Sequence, residues 1–201
     1  MGAVSRYVRL LEAARPAIVI ATGPAGTSKT YSACNVGVRK VLAGEYRKLV
    51  LTRPTVTVEC EELGYLPGNL NEKMLPWIQP CIDAIGAPAF KRMTQEGRFE
   101  ICPLGLMRGR TFENSFVVAD EMQNASETQI IMALTRIGFD TKMVLTGDPE
   151  QSDIDKSGFV DLVNKATALD AEDIQVIRFG HEDIRRSPIV SKVLRMYGKK
   201  N

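Results

Sequence analysis

Eight consecutive residues could hold a polyphosphate: Gly23, Pro24, Ala25, Gly26, Thr27, Ser28, Lys29 and Thr30. Small residues let the backbone close in so that successive N–H groups face an anion. Lys29 would neutralise the β and γ oxygens, and the Thr30 hydroxyl would ligate Mg²⁺. The order follows G-x-x-x-x-G-K-[ST] except at one position, where Ser28 stands in place of the glycine before the lysine. If that position needs a positive φ, serine carries a strain of roughly 1 kcal/mol. Asp120 and Glu121 are adjacent carboxylates at the end of the apolar run Phe116 to Ala119. Asp120 would hold Mg²⁺ through water, while Glu121 would orient and polarise the water that attacks a γ-phosphate. Gln151, an amide just past another apolar run, can contact the γ-phosphate or that water. Each piece alone also reads as something ordinary: a Gly-rich turn opening a helix, a strand ending in acids, a Gly-Asp-Pro turn. Together they compose the two halves of a nucleotide hydrolysis site.

The elements around these residues must deliver them to one edge. The β-branched run Ala17 to Ala21 predicts a buried strand before the loop, and Lys29 to Val41 predicts a helix after it, which is the context a phosphate loop needs. Further strands are expected at Lys48 to Thr52, Phe99 to Cys102, Phe116 to Ala119, Lys142 to Thr146 and Ile174 to Phe179. Helices are expected at residues 4 to 14, with Val4, Tyr7, Val8 and Leu11 on one stripe, and at Asn71 to Ile85 and Pro88 to Gln95. Ser126 should cap a helix that runs to about Ile137 and stops at Gly138. Gly158 to Ala168 and Pro188 to Tyr197 complete the set. Residues 55 to 69 form a long connection with Glu59, Glu61 and Glu62, of a length more often functional than not.

Composition limits the setting. With 201 residues and 44% apolar content, one domain over residues 1 to 201 is the default. The net charge of +2 gives a weak overall field, so an anionic partner must meet a local patch. The basic turn Met107 to Thr111, with Arg108 and Arg110 flanking Gly109, suits phosphate contacts as well as it suits a solvated surface. No run of about 18 apolar residues occurs and no signal peptide is expected, so a cytoplasmic protein without membrane contact is the expectation. Cys34, Cys60, Cys81 and Cys102 are widely spaced and His181 is the single histidine, so reduced thiols are expected rather than a zinc cluster or disulfides.

The ordered blocks resemble those of the PhoH-like proteins, over roughly residues 17 to 197. They are Gly23 to Thr30, Arg53 and Pro54 with Glu62 to Gly68, Pro103 with Met107 to Thr111, Asp120 to Asn124, Leu134 to Gly138, Thr146 to Asp148 with Gln151, and Asp183 to Pro188. That family, named for phosphate-starvation induction and widespread in bacteria and their phages, looks like the first RecA-like domain of superfamily 1 helicases. Asp120 to Gln123 is similar to the D-E-x-Q box, and Gly147 to Gln151 to the G-D-x-x-Q motif.

The resemblance implies an α/β fold: a single RecA-like P-loop NTPase domain, a parallel sheet with helices on both faces, and a helical insertion at about 55 to 98. It places the strand ending at Thr146 between the loop strand and the Asp120 strand, with nucleotide at the carboxyl ends. It implies ATP and Mg²⁺ as ligands, with ATP over GTP an inference from the family because no glutamine precedes the loop in Ser5 to Pro16. A cytoplasmic site, the host's cytoplasm for a phage-encoded member, goes with it.

Superfamily 1 helicases close two RecA-like domains around ATP, whereas one such domain is expected from these 201 residues. Two functions stay open. The first is an ATPase coupled to RNA or single-stranded DNA through Arg53, Arg108 and Arg110. The second is a nucleotide-dependent oligomeric switch or assembly protein without helicase action. A ring-like homo-oligomer, such as a hexamer, could let Arg186 serve the neighbour's ATP. Arg186 aligns with the family's arginine and Arg185 is an addition; the pair could equally form a plain helix start.

Overall fold

A computed structural model describes residues 2–15, 17–54, 75–185 and 196. Six strands make one sheet with every pair parallel: β1 (Ile18–Thr22), β2 (Lys48–Thr52), β3 (Phe99–Ile101), β4 (Ser115–Ala119), β5 (Lys142–Gly147) and β6 (Ile174–Arg178). Their order across the sheet is β3-β2-β4-β5-β1-β6. The strand carrying Thr146 therefore lies between the loop strand β1 and the acid strand β4, as the resemblance implied.

The four inner strands β1, β2, β4 and β5 lack polar alternation because both faces are covered. Alternate residues feed two separate cores. Val19, Leu49, Leu51, Phe116, Val118 and Val144 join one cluster, while Ile20, Val50, Val117, Ala119, Met143 and Leu145 join the other. The first is closed by α1 (Ala3–Glu12), α2 (Lys29–Leu42), α3 (Leu75–Ile85) and α4 (Ala87–Gln95). The second is closed by α5 (Glu127–Leu134) and α6 (Gly158–Leu169). Helices on both faces, with α3 and α4 inserted between β2 and β3, match the expected α/β architecture. The expected features at residues 55 to 74 and the closing helix from Pro188 lie outside the described residues.

One helix end differs from expectation. Helix α5 starts with a capping box, Ser126 accepting from Gln129 N–H and Gln129 accepting from Ser126 N–H, but it ends at Leu134 rather than near Ile137. The chain leaves the helix to pair with Phe112, which donates its N–H to Arg136 O at 2.9 Å and accepts from Gly138 N at 2.7 Å. Gly138 is needed for that approach, since a Cβ there would sit 2.7 Å from Phe112 O. It does not cap the helix.

Helix α1 is clamped to the loop helix. Tyr7 and Leu11 are fully buried, the Tyr7 hydroxyl donates to Lys29 O at 3.3 Å, and the Tyr7 ring meets Phe179 edge-on. Lys142, at the start of β5, reaches the helix end and donates from Nζ to Leu10 O (3.0 Å) and Ala13 O (2.7 Å). Cys34, Cys81 and Cys102 are free and buried, and Cys60 is outside the described residues. No helix among the described residues is long and apolar enough to cross a membrane.

Candidate functional site

The phosphate loop leaves β1 through Gly23 at φ +139°, turns again at Gly26 at φ +83°, and enters α2 through Ser28 at φ 63°, ψ 25°. Ser28 does occupy the left-handed conformation that the missing glycine would adopt freely, so the strain anticipated from the sequence is present. Its side chain makes no capping hydrogen bond to the helix. The first-turn N–H groups of α2 are thus left to another acceptor, at the end of the helix that favours an anion. Lys29, only 8% exposed, lies against the loop, with Nζ donating to Gly23 O (2.7 Å), Pro24 O (2.8 Å) and Thr27 Oγ1 (3.2 Å). Thr27 Oγ1 in turn donates to Pro24 O at 3.0 Å.

The acid strand meets this loop directly. Thr30 Oγ1 donates to Asp120 Oδ1 at 2.6 Å, and Thr146 Oγ1, at the end of the intervening strand, donates to the same oxygen at 2.5 Å. The hydroxyl and carboxylate expected to share a cation are therefore adjacent. Glu121 follows at φ 53°, ψ 36°, a conformation that costs a non-glycine residue of order 1 kcal/mol or more. Gln123 holds it there, donating from Nε2 to Glu121 Oε2 at 2.5 Å while its Oε1 accepts from Asp148 N at 3.1 Å. Asp148 is itself buried and accepts from Ala25 N at 2.9 Å and Glu150 N at 3.1 Å.

The result is a cleft of about 340 Å³ lined by loop residues Ala25 to Thr30 except Thr27, together with Tyr31, Asp120, Glu121, Gly147, Asp148, Gln151 and Arg185. Lys29, Thr30, Asp120, Glu121 and Gln151 come together as the sequence predicted. Arg186 lies outside the described residues. Four contributors were not among the expected site residues: Thr146, Gln123, Asp148 and Arg185. The first three sit inside the recognised motifs, but their roles depend on bonds between separate elements.

The three arginines assigned to nucleic acid are placed differently from one another. Arg53, at the exit of β2, stacks its guanidinium over Trp77 at 5.5 Å, and its carbonyl accepts from Leu104 N at 3.1 Å. That bond ties the start of the turn Leu104–Met107 to the exit of β2. Arg108 is exposed and, among the described residues, carries no ion pair. Arg110 is engaged internally: its Nη2 pairs with Glu100 Oε1 at 2.5 Å, Nη1 reaches Cys102 Sγ at 3.1 Å, and the group covers Phe112 at 4.8 Å. Lys48 joins from the other side, with Nζ 2.5 Å from Glu100 Oε2. Burial alone would raise the Glu100 carboxyl, but the hydrogen bonds from Lys48 and Arg110 outweigh it and hold it below the ordinary value.

Known proteins resemble this chain along most of its length. A family model described as PhoH-like protein matches residues 3–198. The PhoH-like protein of Bacillus subtilis is 41% identical over 191 residues, covering 92% of this chain and 59% of that protein. The PhoH-like protein of Synechocystis is 36% identical over 199 residues, covering 96% of this chain and again 59% of the relative. The chain thus spans under two thirds of the length of either. Among solved structures, the Pif1 helicase from Candida albicans matches with a TM-score of 0.40 and 15% identity, covering 90% of this chain and 40% of that one.

Proposed function

The chain belongs to the PhoH-like family, and we propose that it is an ATPase that requires Mg²⁺ and whose turnover is coupled to RNA or single-stranded DNA. The observation that supports this best is the 2.6 Å hydrogen bond from Thr30 to Asp120, which joins the phosphate loop to the acid strand. Mg²⁺ takes few protein ligands and keeps waters and phosphate oxygens for the rest. Thr30 Oγ1 and Asp120 Oδ1 would be its protein contacts here. When bound, the ion supplies charge neutralisation at the β and γ oxygens.

The chain's own groups do the remaining work. Loop N–H groups and the α2 N-terminus bind the phosphates, and Lys29 exchanges the carbonyls of Gly23 and Pro24 for phosphate oxygens. Glu121, oriented by Gln123, accepts a proton from the water that attacks the γ phosphorus, and the β–γ bridging bond breaks to release ADP. Gln151 contacts that water or the γ-phosphate. Preference for ATP over GTP, and any function involving the rest of a longer relative, belong to the same proposal.

The second reading, a nucleotide-dependent oligomeric switch, is favoured by one observation: Arg110 is committed to Glu100 and leaves a smaller basic face for nucleic acid. Phosphate release should be measured with and without EDTA while single-stranded RNA and DNA are titrated, alongside solution mass with and without ATP. Stimulation by either nucleic acid supports the first reading. A nucleotide-dependent change of mass without stimulation supports the second. Absence of any EDTA-sensitive release would remove the hydrolase reading itself.

A further inference from the structure

The segment following β6 is laid along the phosphate loop. Phe179 N donates to Thr22 O at 2.8 Å, and Gly23 permits that contact because a Cβ there would lie 2.4 Å from Phe179 O. The chain then forms the short turn His181–Asp183, closed by Gly180 N to Asp183 Oδ2 at 3.0 Å and Asp183 N to Gly180 O at 3.1 Å. It returns to the loop two residues later, where Arg185 N donates to Gly26 O at 2.9 Å. Arg185, an exposed residue, lines the cleft together with Lys29, Glu121 and Gln151. Among the described residues its guanidinium carries no ion pair or hydrogen bond.

A guanidinium at the rim of this cleft, without an ion pair among the described residues, has a narrow set of uses. Its backbone is anchored to the loop that would grip the phosphates, which keeps the residue within a side chain's length of them. Glu121 and Asp120 line the same cleft, and neither pairs with Arg185.

We propose that Arg185 contacts the terminal phosphoryl group of a bound nucleoside triphosphate from within its own chain and stabilises the charge that develops on it. The site is then complete in one chain, and no arginine from a neighbouring subunit is needed. The inference rests on the hydrolase reading of the cleft. It differs from the sequence expectation, in which Arg186 would act on a neighbour's ATP.

The test compares wild type, Arg185→Ala and Arg185→Lys in Mg²⁺ buffer. Calorimetry gives the affinities for ADP and for a non-hydrolysable ATP analogue, and phosphate release gives kcat. For Arg185→Ala the analogue should bind about 10- to 100-fold more weakly, as for the loss of one charge-assisted contact, with ADP affinity unchanged. Its kcat should fall by about 10³ or more. Arg185→Lys should recover part of the analogue affinity and little of the rate, because an ammonium lacks the planar fork. Mixing Arg185→Ala with Lys29→Ala should restore no turnover.

Three results would overturn the proposal: equal loss of ADP and analogue binding, kcat within threefold of wild type, or recovery of turnover in the mixture. The last would assign Arg185 to a neighbour's site. Wild type that binds neither nucleotide would instead defeat the hydrolase reading, and this inference would fall with it.

Discussion

Ser28→Gly offers the most direct check on how the phosphate loop is built. Serine at φ 63°, ψ 25° bears the steric cost of the left-handed region, about 1 to 2 kcal/mol, and its side chain forms no capping bond that would offset it. Glycine removes that cost but loosens the unfolded chain, which takes back about 0.4 to 1 kcal/mol. The net gain should be about 0.5 to 1 kcal/mol, or about 1 to 4 °C in Tm for a chain of this size. Affinity for ATP with Mg²⁺ should hold or improve, since glycine keeps every loop amide. Ser28→Ala is the control: it removes the hydroxyl and keeps the Cβ, so it should melt close to wild type. Thermal melts and calorimetry on the three proteins suffice. If Ser28→Gly melts lower, or binds ATP more than tenfold more weakly, the strain argument is wrong and the serine hydroxyl has a role of its own.

Three further outcomes follow from the geometry. Gln123→Ala should lower kcat by about 10- to 100-fold with little change in ATP affinity, because it frees Glu121 from a charge-assisted bond without touching the loop; equal losses in kcat and affinity would refute this. Lys142 is lowered to about 8 by burial, then by Lys40, with Glu12 opposing. The unfolded chain therefore holds a proton that the native state has lost between about pH 8 and 10.5, and stability should rise with pH across that window, with the ammonium penalty fully present below it. Its two bonds to Leu10 O and Ala13 O survive deprotonation, since a neutral amine keeps two N–H donors. The difference in melting between wild type and Lys142→Met should therefore shift in favour of wild type as pH rises, and a flat difference would sink the argument. Arg108→Ala should weaken single-stranded RNA binding and reduce its salt slope by about 1, whereas Arg110→Ala should mainly destabilise the fold, by about 1 kcal/mol, through loss of the Glu100 pair and the Phe112 contact. A reversal of those two phenotypes would exchange their assigned roles.

The parts of the molecule that were legible in the sequence are those decided by neighbours in the chain. Strands such as Phe116 to Ala119 and Lys142 to Thr146 are apolar throughout because they are covered on both faces, and the structure extends each by only a residue at one end. The phosphate loop was legible because its eight residues act together. Whether Ser28 needed a positive φ was posed by the sequence but could only be answered by the fold. The early end of α5 was not legible, because Ile137 and Gly138 are drawn away by Phe112, more than twenty residues upstream. The ion pair of Arg110 was not legible for the same reason, since its carboxylate partner is on β3 and becomes adjacent only when the sheet forms. Arg185 joins the cleft through its backbone bond to Gly26 of the loop, a contact between distant parts of the chain that the sequence does not show.

The sheet order sets how the phosphate loop is joined to the acid strand. With β5 inserted between β1 and β4, the loop strand and the acid strand are two spacings apart, about 10 Å. Thr146, at the end of the intervening strand, bridges part of that gap by donating to the same Asp120 oxygen that Thr30 uses. The residues beyond β5 bridge the rest through three successive hydrogen bonds: Ala25 N to Asp148 Oδ2, Asp148 N to Gln123 Oε1, and Gln123 Nε2 to Glu121 Oε2. The first donor in that series is a phosphate-loop amide, and the last acceptor is the carboxylate assigned to the attacking water. An anion that drew the Ala25 N–H toward itself would release Asp148, and the change would reach Glu121 through side chains and backbone buried between them. The left-handed backbone at Glu121 is what turns the chain sharply enough for Gln123 to complete the series. The conformational cost at Glu121 thus serves the same arrangement as the cost at Ser28: one shapes the loop, and the other connects that loop to the carboxylate proposed to activate the water.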